Sequence, residues 1–505
     1  MKSALNWLSV NVIKQRLSHI THCAENPHDV QKKVFDYLIH KGRYTAWGQK
    51  YSYHQLRSVR EYKQRVPIST YEDLFPYIER ILKGEQEVLW PSEIKLFAKS
   101  SGTTNARSKF IPVSQETLED CHFEGGKDLL AVYIQNRPET KLFKGRSLTV
   151  GGSIQANPEA SSTIIGDVSG LIMKNLPLWA QSFRAPSLEI ALMAEWEAKI
   201  QKMAEASIQE NITCIHGVPT WTIFLIRKVL ELTQSQSILE VWPNLECFFH
   251  GAVAFGPYKS LFESMIPSPQ MSYLEAYNAS EGFFSLQDVI GQQDMLLMTD
   301  YGIFYEFLPL DSLQDPYAAT LSLDEVELHK NYALVISTNS GLWRYLIGDT
   351  VKFVSKDPYR IRISGRTKHF INAFGEELVI ENADHALVEA CSQTGARVSN
   401  FTAAPIFIEN GKRGGHEWLI EFDQQPSDIN LFTDLLDKAL QRVNSDYEAK
   451  RSKDIALLPP LVRVLPFGTF YELMRRKGKL GGQNKVPRLA NDRLFIEEVL
   501  ALLQG

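Results

Sequence analysis

Ser100-Ser101-Gly102-Thr103-Thr104 sets four hydroxyl side chains around a glycine in five consecutive positions, and Lys109 follows five residues later. Hydroxyls and the N–H groups of a glycine-containing turn donate to phosphate oxygens, and a trailing ammonium neutralises their charge. The stretch is not a Walker loop, which needs a second glycine directly before its lysine, where Ser108 stands here. By residue type alone it reads equally as a Ser/Thr-rich surface turn.

Other segments offer groups that complement a phosphate loop. Tyr277-Asn278-Ala279-Ser280-Glu281-Gly282 sets an aromatic, a hydroxyl and a carboxylate within five residues. An aromatic stacks on a base, a serine holds a phosphate, and a carboxylate holds Mg²⁺. Taken singly, the segment is an ordinary turn. Arg344-Tyr345-Leu346-Ile347-Gly348-Asp349 puts an aspartate just past a glycine at a predicted strand end, where a carboxylate can accept both hydroxyls of a ribose. A plain Gly-Asp turn is the alternative. Gly365-Arg366-Thr367-Lys368 precedes Asn372-Ala373-Phe374-Gly375-Glu376-Glu377-Leu378, and Lys485-Val486-Pro487-Arg488 ends a glycine- and cation-rich loop that by itself is a solvated basic surface.

The elements that must hold these groups follow from the apolar pattern. Residues up to about 90 read as mainly helical, with Pro67 and Pro76 breaking the pattern. Leu5, Leu8, Val12, Ile13, Leu17 and Ile20 recur at near-helical spacing, so the N-terminal stretch is expected to be a docked amphipathic helix. From 94 to 365 short β-branched runs alternate with amphipathic stretches. Ile94 to Ala98, Ser147 to Val150, Ile212 to Ile215 and Glu246 to Phe249 read as strands, and Ser187 to Ala206 and Trp221 to Leu232 as helices. That alternation predicts an α/β domain on mixed or parallel sheets. The runs near 296–310 and 332–354 predict an antiparallel β subregion, and after Ser364-Gly365-Arg366 the chain restarts as a smaller α+β unit ending in a helix over Asn491 to Leu503.

At 505 residues two or three domains are expected. The net charge of -5 argues against a protein that coats nucleic acid. The five cysteines, Cys23, Cys121, Cys214, Cys247 and Cys391, are scattered without a C-x-x-C pair, which fits a reducing cytosol. Asn6, Ser9 and Asn11 interrupt the first apolar stretch, so no signal peptide is expected, and no run of 18 apolar residues predicts a membrane span. The expected setting is the cytoplasm, with no nucleic-acid or membrane partner.

Taken in order, SSGTT with its lysine, Y-x-x-S-E, Y-x-x-G-D, GRxK and the late lysine resemble the adenylate-forming enzymes, and more closely the auxin-responsive Gretchen-Hagen acyl acid amido synthetases. Residues 100–112, Tyr277 to Glu281 and Gly341 to Asp349 resemble that family's three nucleotide motifs. Phe467-Gly468-Thr469-Phe470-Tyr471 and Gln483 to Arg488 resemble its C-terminal signature. The likeness covers nearly the whole chain. Two departures mark a distinct, bacterial-like branch: Asn105-Ala106 stand where many members carry two glycines, and Leu346 stands where an arginine is frequent, with Arg344 nearby.

The resemblance implies an α/β fold with a large N-terminal adenylation domain, residues 1–364, and a smaller mobile C-terminal α+β domain, residues 365–505. It implies ATP and Mg²⁺ as cofactors, and a small carboxylic acid and an amino acid as substrates. Ser100, Ser101, Gly102, Thr103, Thr104, Ser280 and Lys109 would grip phosphates, and Glu281 would bind the metal. Gly251 and Ala252 would meet adenine through backbone while Tyr277 stacks on it. Asp349 would hold the ribose with Arg366 beside it, Lys485 would stabilise the developing charge, and Lys368 would sit at the hinge. Lys485, Lys109 and Glu281 would carry the catalysis.

The base for the second half-reaction is not identified by this reading: His122, His216 and His250 each read as structural hydrogen-bonders. Met173, Leu176, Trp179 and Phe183, within Ile172 to Arg184, offer an apolar lining for the acid, with core packing as the alternative. An acyl-CoA ligase shares the adenylation step, and Arg475, Arg476, Lys477 and Lys479 could form the cationic path it needs. A non-catalytic nucleotide sensor and a nucleic-acid binder are the remaining alternatives.

Overall fold

The computed structural model describes residues 11–504 apart from 101–108, 157–162, 253–254, 314, 367–369, 372–377, 407–413, 445–446, 449–450, 452–456, 480–484 and 491. The chain forms two compact units: Met1–Val253 with Met265–Ile347 and Val351–Arg362, and Ala254–Ser264 with Gly348–Thr350 and Ile363–Gly505.

The first unit opens with helices, as the apolar spacing predicts. Helix α1, Arg16–Glu25, buries Ile20 and Cys23, and Ile13 just ahead of it is also buried; Leu5 and Leu8 lie outside the described residues. Helix α2, Tyr71–Leu82, corrects the expectation for Pro76, which lies inside the helix and does not break it. A capping box between Thr70 and Asp73 starts the helix, and Tyr71, Leu74, Ile78, Ile81 and Leu82 bury its apolar face. Cap and burial together outweigh the one backbone bond that proline removes.

Strands β1 (Leu96–Ser100), β2 (Lys109–Val113), β3 (Arg146–Val150), β4 (Ile154–Ala156), β5 (Ile164–Gly166) and β6 (Arg184–Ala185) come next in the chain. They are followed by β7 (Ile212–Gly217), β8 (Cys247–His250), β9 (Ser272–Ala279), β10 (Gly282–Leu286) and β11 (Met295–Leu297). Then come β12 (Ile303–Pro309), β13 (Asn331–Thr338), β14 (Tyr345–Lys356) and β15 (Tyr359–Arg366). Four form a small sheet in the order β2-β1-β5-β4, and eleven form a large one in the order β12-β13-β14-β15-β11-β10-β9-β8-β7-β3-β6. Strands β6, β3, β7, β8 and β9 pair in parallel, and from β9 to β10 the pairing turns antiparallel. The mixed α/β class and the antiparallel subregion are therefore both present.

Helices α3 (Glu124–Asn136) and α5 (Pro219–Thr233) pack on β10 and β3, and α4 (Trp196–Ile208) packs along α5. The single helix expected over Ser187 to Ala206 is instead two, Leu188–Ala191 and α4, because Glu195 caps α4 by accepting from the N–H groups of Glu197 and Ala198.

In the second unit β16 (Phe370–Ile371) pairs with β17 (Leu378–Val379). Helix α6, Ile380–Thr394, and helix α7, Ile429–Val443, share a buried core with a sheet of β18 (Arg397–Ile406), β19 (Gly415–Gln424) and β20 (Leu461–Leu465). Helix α8, Thr469–Arg476, and helix α9, Leu494–Gln504, enclose a smaller core with Leu419 and Leu465. The last helix thus begins at Leu494, three residues later than the periodicity suggests, with the Asp492 carboxylate accepting from the Leu494 N–H. The unit's mixture of helices and sheet is the α+β class expected of the smaller C-terminal part.

Candidate nucleotide site

One row of the β-ladder crosses four parallel strands. Val150 of β3 pairs with Gly217 of β7, Gly217 with His250 of β8, and His250 with Glu275 of β9. Three of those strands end at this row, and their backbone leaves the sheet as Gly151-Gly152, Val218 and Gly251-Ala252, while β9 runs on through Tyr277. Carboxyl ends of parallel strands, where backbone groups leave the ladder, are where α/β sheets take ligands. Gly251 lies so close to β9 that a Cβ there would sit 2.3 Å from the Ala276 carbonyl oxygen. Ala252 is exposed and holds a left-handed φ of 71°.

Lys199 on α4 fixes the neighbouring strand exit, a feature that the residue pattern did not reveal. Its ammonium donates to the carbonyls of Gly151 at 2.6 Å and Gly152 at 2.9 Å. Burial pulls its pKa down to about 8, against the opposing pull of Asp167.

Beyond the row, Ser280 and Glu281 form a two-residue turn closing the β9–β10 hairpin, with Gly282 paired to Ala279. Both turn side chains are buried, at 4% and 7% exposure, so the carboxylate of Glu281 is held away from bulk water. Tyr277 is buried too, with its ring 4.7 Å from that of Phe284. Asn278, between them, meets the Nδ1 of His122 at 3.0 Å. Burial of His122 lowers its pKa to about 4, and that of His250 lowers its own to about 3. Both imidazoles are therefore neutral at pH 7, which suits the hydrogen-bonding role expected of them.

The hydroxyl-rich segment is bracketed by a hairpin. Strand β1 pairs antiparallel with β2, and Ser100 opposite Lys109 is the closing pair. The loop thus joins two strands of the small sheet, unlike a P-loop, which leads from strand to helix. Ser101, Gly102, Thr103 and Thr104 lie outside the described residues. The Lys109 ammonium is 3.5 Å from the Tyr345 hydroxyl and 5.5 Å from the centre of the Tyr71 ring. Tyr71 in turn accepts from the Phe110 N–H at 2.8 Å, so two tyrosines orient the start of β2.

In the second unit, Asp349 is buried and lies within β14, which corrects its expected place at a strand end. Gly348 before it holds φ 92°, and the Ser364 hydroxyl donates to Thr350 at 3.0 Å. The left-handed glycine re-aims the chain without ending the strand. Arg366 is the last residue of β15, and Lys368 lies outside the described residues.

Lys485 is half-buried and heads a segment tied down residue by residue. The Pro487 carbonyl accepts from the Thr402 hydroxyl at 2.6 Å, the Arg488 carbonyl from the Ala403 N–H at 2.7 Å, and Leu489 bridges to Ala403. Arg488 reaches Asp384 on α6 and the Tyr258 hydroxyl at 2.9 Å, with its guanidinium over the Phe401 ring. The stretch read as a solvated basic loop therefore ends in a buried anchor.

Three other features noted in the sequence have definite surroundings. Arg344, near the missing arginine of the third motif, is fully buried and paired to Glu306, and it also donates to the carbonyls of Lys63 and Val66. It is a core strut. The 172–184 segment does not form one apolar lining: Met173 is buried, Trp179 is 47% exposed, and Phe183 packs on Phe143. Arg475 and Arg476 share the one carboxylate of Glu472, and Lys477 pairs with Glu498, so two local carboxylates partly offset the basic cluster.

Family models described as the GH3 family N-terminal, central and C-terminal domains match residues 16–271, 296–366 and 381–494. The indole-3-acetic acid-amido synthetase GH3.4 of Arabidopsis thaliana is 25% identical, over 94% of this chain and 91% of its own. The solved structure of AtGH3.15 acyl acid amido synthetase in complex with 2,4-DB superposes with a TM-score of 0.78 at 17% identity, covering 97% and 96% of the two chains. A 2-hydroxyisobutyryl-CoA ligase structure in the postadenylation state, in complex with 2-HIB-AMP, gives a TM-score of 0.57 at 12% identity over 94% and 92%.

Proposed function

This chain belongs to the GH3 family, and we propose from that premise that it is an ATP-dependent acyl acid amido synthetase acting on a small carboxylic acid and an amino acid. The observation that carries the reading is the ladder row through Val150, Gly217, His250 and Glu275. It sets the Gly251-Ala252 exit beside the strand that bears Tyr277, Ser280 and Glu281.

A carboxylate resists nucleophiles because it is anionic and resonance-stabilised. In the first half-reaction its oxygen attacks the α-phosphorus of ATP, the bond to the β-phosphate oxygen breaks, and pyrophosphate leaves. No proton need move, so the protein's task is to align two anions and offset their charge. The lack of a side chain at Gly251 lets the β8 exit lie against the Ala276 carbonyl, and this main chain would meet adenine with Tyr277 alongside. Lys109, at the closing pair of the hairpin, supplies positive charge at the root of the hydroxyl loop, and Ser100 to Thr104 supply donors.

Glu281 fits a magnesium ligand, being a buried carboxylate and thus a hard oxygen donor. When bound, the ion neutralises phosphate oxygens. Asp349 would accept from the ribose hydroxyls, with Arg366 beside it. Lys485, carried on the strapped 485–489 segment, would stabilise the charge that develops at the transferring phosphate. The reading divides the chain at residues 364 and 365, with Lys368 at the hinge between the two half-reactions.

In the second half-reaction an amino acid amine attacks the acyl carbonyl, AMP leaves with the electron pair of the C–O bond, and the amine gives up a proton. The neutral His122 and His250 are too weakly basic to take it from an ammonium. Membership of the GH3 family, whose curated relatives include amido synthetases, favours an amino acid over CoA as acceptor.

Pyrophosphate release with ATP and Mg²⁺, across a panel of aryl, indolyl and aliphatic acids, tests the reading. Each acid is run with amino acids, with CoA and with neither. An amide mass that requires both acid and amino acid supports it. A thioester mass, or failure of the protein to bind ATP, refutes it.

A further inference from the structure

Away from the strand ends, α1 presents His19 and Cys23 four residues apart, hence on one helical face. Opposite them stands Asp300, on the loop between β11 and β12. The Nε2 of His19 lies 3.7 Å from the Cys23 sulfur and hydrogen-bonds the Asp300 Oδ2. One donor atom from each residue falls within 4.8 Å of the other two. The second oxygen of Asp300, Oδ1, is buried and has no hydrogen-bond partner among the described residues. A buried carboxylate oxygen left unpaired costs free energy that a cation would recover.

The cluster borders a cavity of about 360 Å³ lined in part by Arg16, Lys33, Asp120, Glu124 and Asp300. Of these, Glu124 is paired with both Arg16 and Lys127, and Arg16 also holds Asp128, which leaves two lining carboxylates, Asp120 and Asp300, beside Lys33. Asp120 feels this: burial and then the charges of Glu119, Glu116 and Glu124 raise its pKa. The surroundings favour a positive ion.

We propose that His19, Cys23 and Asp300 bind one transition-metal ion of borderline softness, zinc foremost, with a fourth position open to the adjoining cavity. Imidazole, thiolate and carboxylate together are the donor set that selects zinc over magnesium. The spacing of the imidazole nitrogen and the sulfur is near the edge of a tetrahedron with bonds of about 2.1 and 2.3 Å, while the hydrogen bond from His19 to Asp300 must open to admit the ion. A thiol binds a metal as the thiolate, so Cys23 gives up its proton on loading. The metal takes that proton's place and the proton passes to solvent. So loaded, the site fastens α1 to the β11–β12 loop.

Full-length protein stripped with a chelator and loaded with Co²⁺ gives the test. A cobalt–thiolate bond produces a charge-transfer band that oxygen and nitrogen donors alone do not. The expected result is one ion per chain with that band, displaced by Zn²⁺ but not by Mg²⁺, and lost in Cys23→Ala. Replacing the 44% exposed His19 by alanine, which leaves the core intact, should weaken binding by roughly 100-fold. Absence of the band in the parent protein, its persistence in Cys23→Ala, or unchanged affinity in His19→Ala would each overturn the site.

Discussion

The guanidinium of Arg488 donates to both carboxylate oxygens of Asp384, at 3.0 and 3.3 Å, where each side chain is almost wholly buried. Burial raises the Asp384 pKa to about 6 despite the cation beside it. This pair holds the segment that begins at Lys485, three residues earlier.

Lys485 and Arg488 should therefore fail in different ways. Lys485→Ala should cut pyrophosphate release by roughly 100- to 1,000-fold in kcat, as loss of a charge-stabilising donor does, with melting unchanged. Arg488→Ala should strand the Asp384 carboxylate and destabilise the second unit by about 3 kcal/mol or more. Calorimetry beside the rate assay separates them. An equal loss of stability in both variants would sink the assignment of Lys485.

Glu281→Gln keeps the size of the side chain and removes its charge. If Glu281 holds Mg²⁺, the variant should need a higher magnesium concentration for half-maximal pyrophosphate release, and kcat should fall by at least about tenfold. A magnesium titration of parent and variant checks this. Identical magnesium curves would place the metal elsewhere, and chelator should silence the parent entirely.

Arg344 makes a converse prediction. Its pair with Glu306 is closed to water, so Arg344→Leu should cost about 3–5 kcal/mol by leaving a lone buried carboxylate. Double replacement, Arg344→Leu with Glu306→Leu, should recover part of that loss. In denaturant titrations, a double variant no better than the single one would argue against the pair as the cause.

His122 and His250 make the first unit acid-sensitive. Their folded pKa values, about 4 and about 3, lie below the usual 6.5, so the unfolded chain takes up protons first as pH falls. Their contribution is intact above about pH 7 and declines below 6.5 by about 1.4 kcal/mol per pH unit for each ring. Asp384, with its raised pKa, acts in the opposite sense between about 6 and 4. His122→Gln should therefore flatten the loss between pH 6.5 and 5 by about 2 kcal/mol. An unchanged pH slope in that variant would mean His122 is not held neutral.

Much of this molecule could be read from the chain because its signals are local. Short apolar runs ending in glycine gave β3, β7 and β8 to within a residue or two, whereas of Tyr277 to Glu281, read as a turn, only Ser280 and Glu281 form one and the rest belongs to β9. What escaped depends on partners far along the sequence. Nothing near Arg344 announces Glu306, nothing near Arg488 announces Asp384, and Lys199 finds its carbonyls 47 and 48 residues away. Pro76 misled for the same reason: α2 is decided by the burial of five side chains, which no propensity contains.

The ladder row at the strand ends has an evolutionary corollary. Its positions are transmitted by main-chain pairing, which is indifferent to most side chains, so the architecture can be inherited while the lettering drifts. A chain sharing 17% of its residues with AtGH3.15 keeps a TM-score of 0.78. Exposed positions such as Trp179 are free to change without touching that row, while Gly251, pinned against Ala276, has no such freedom.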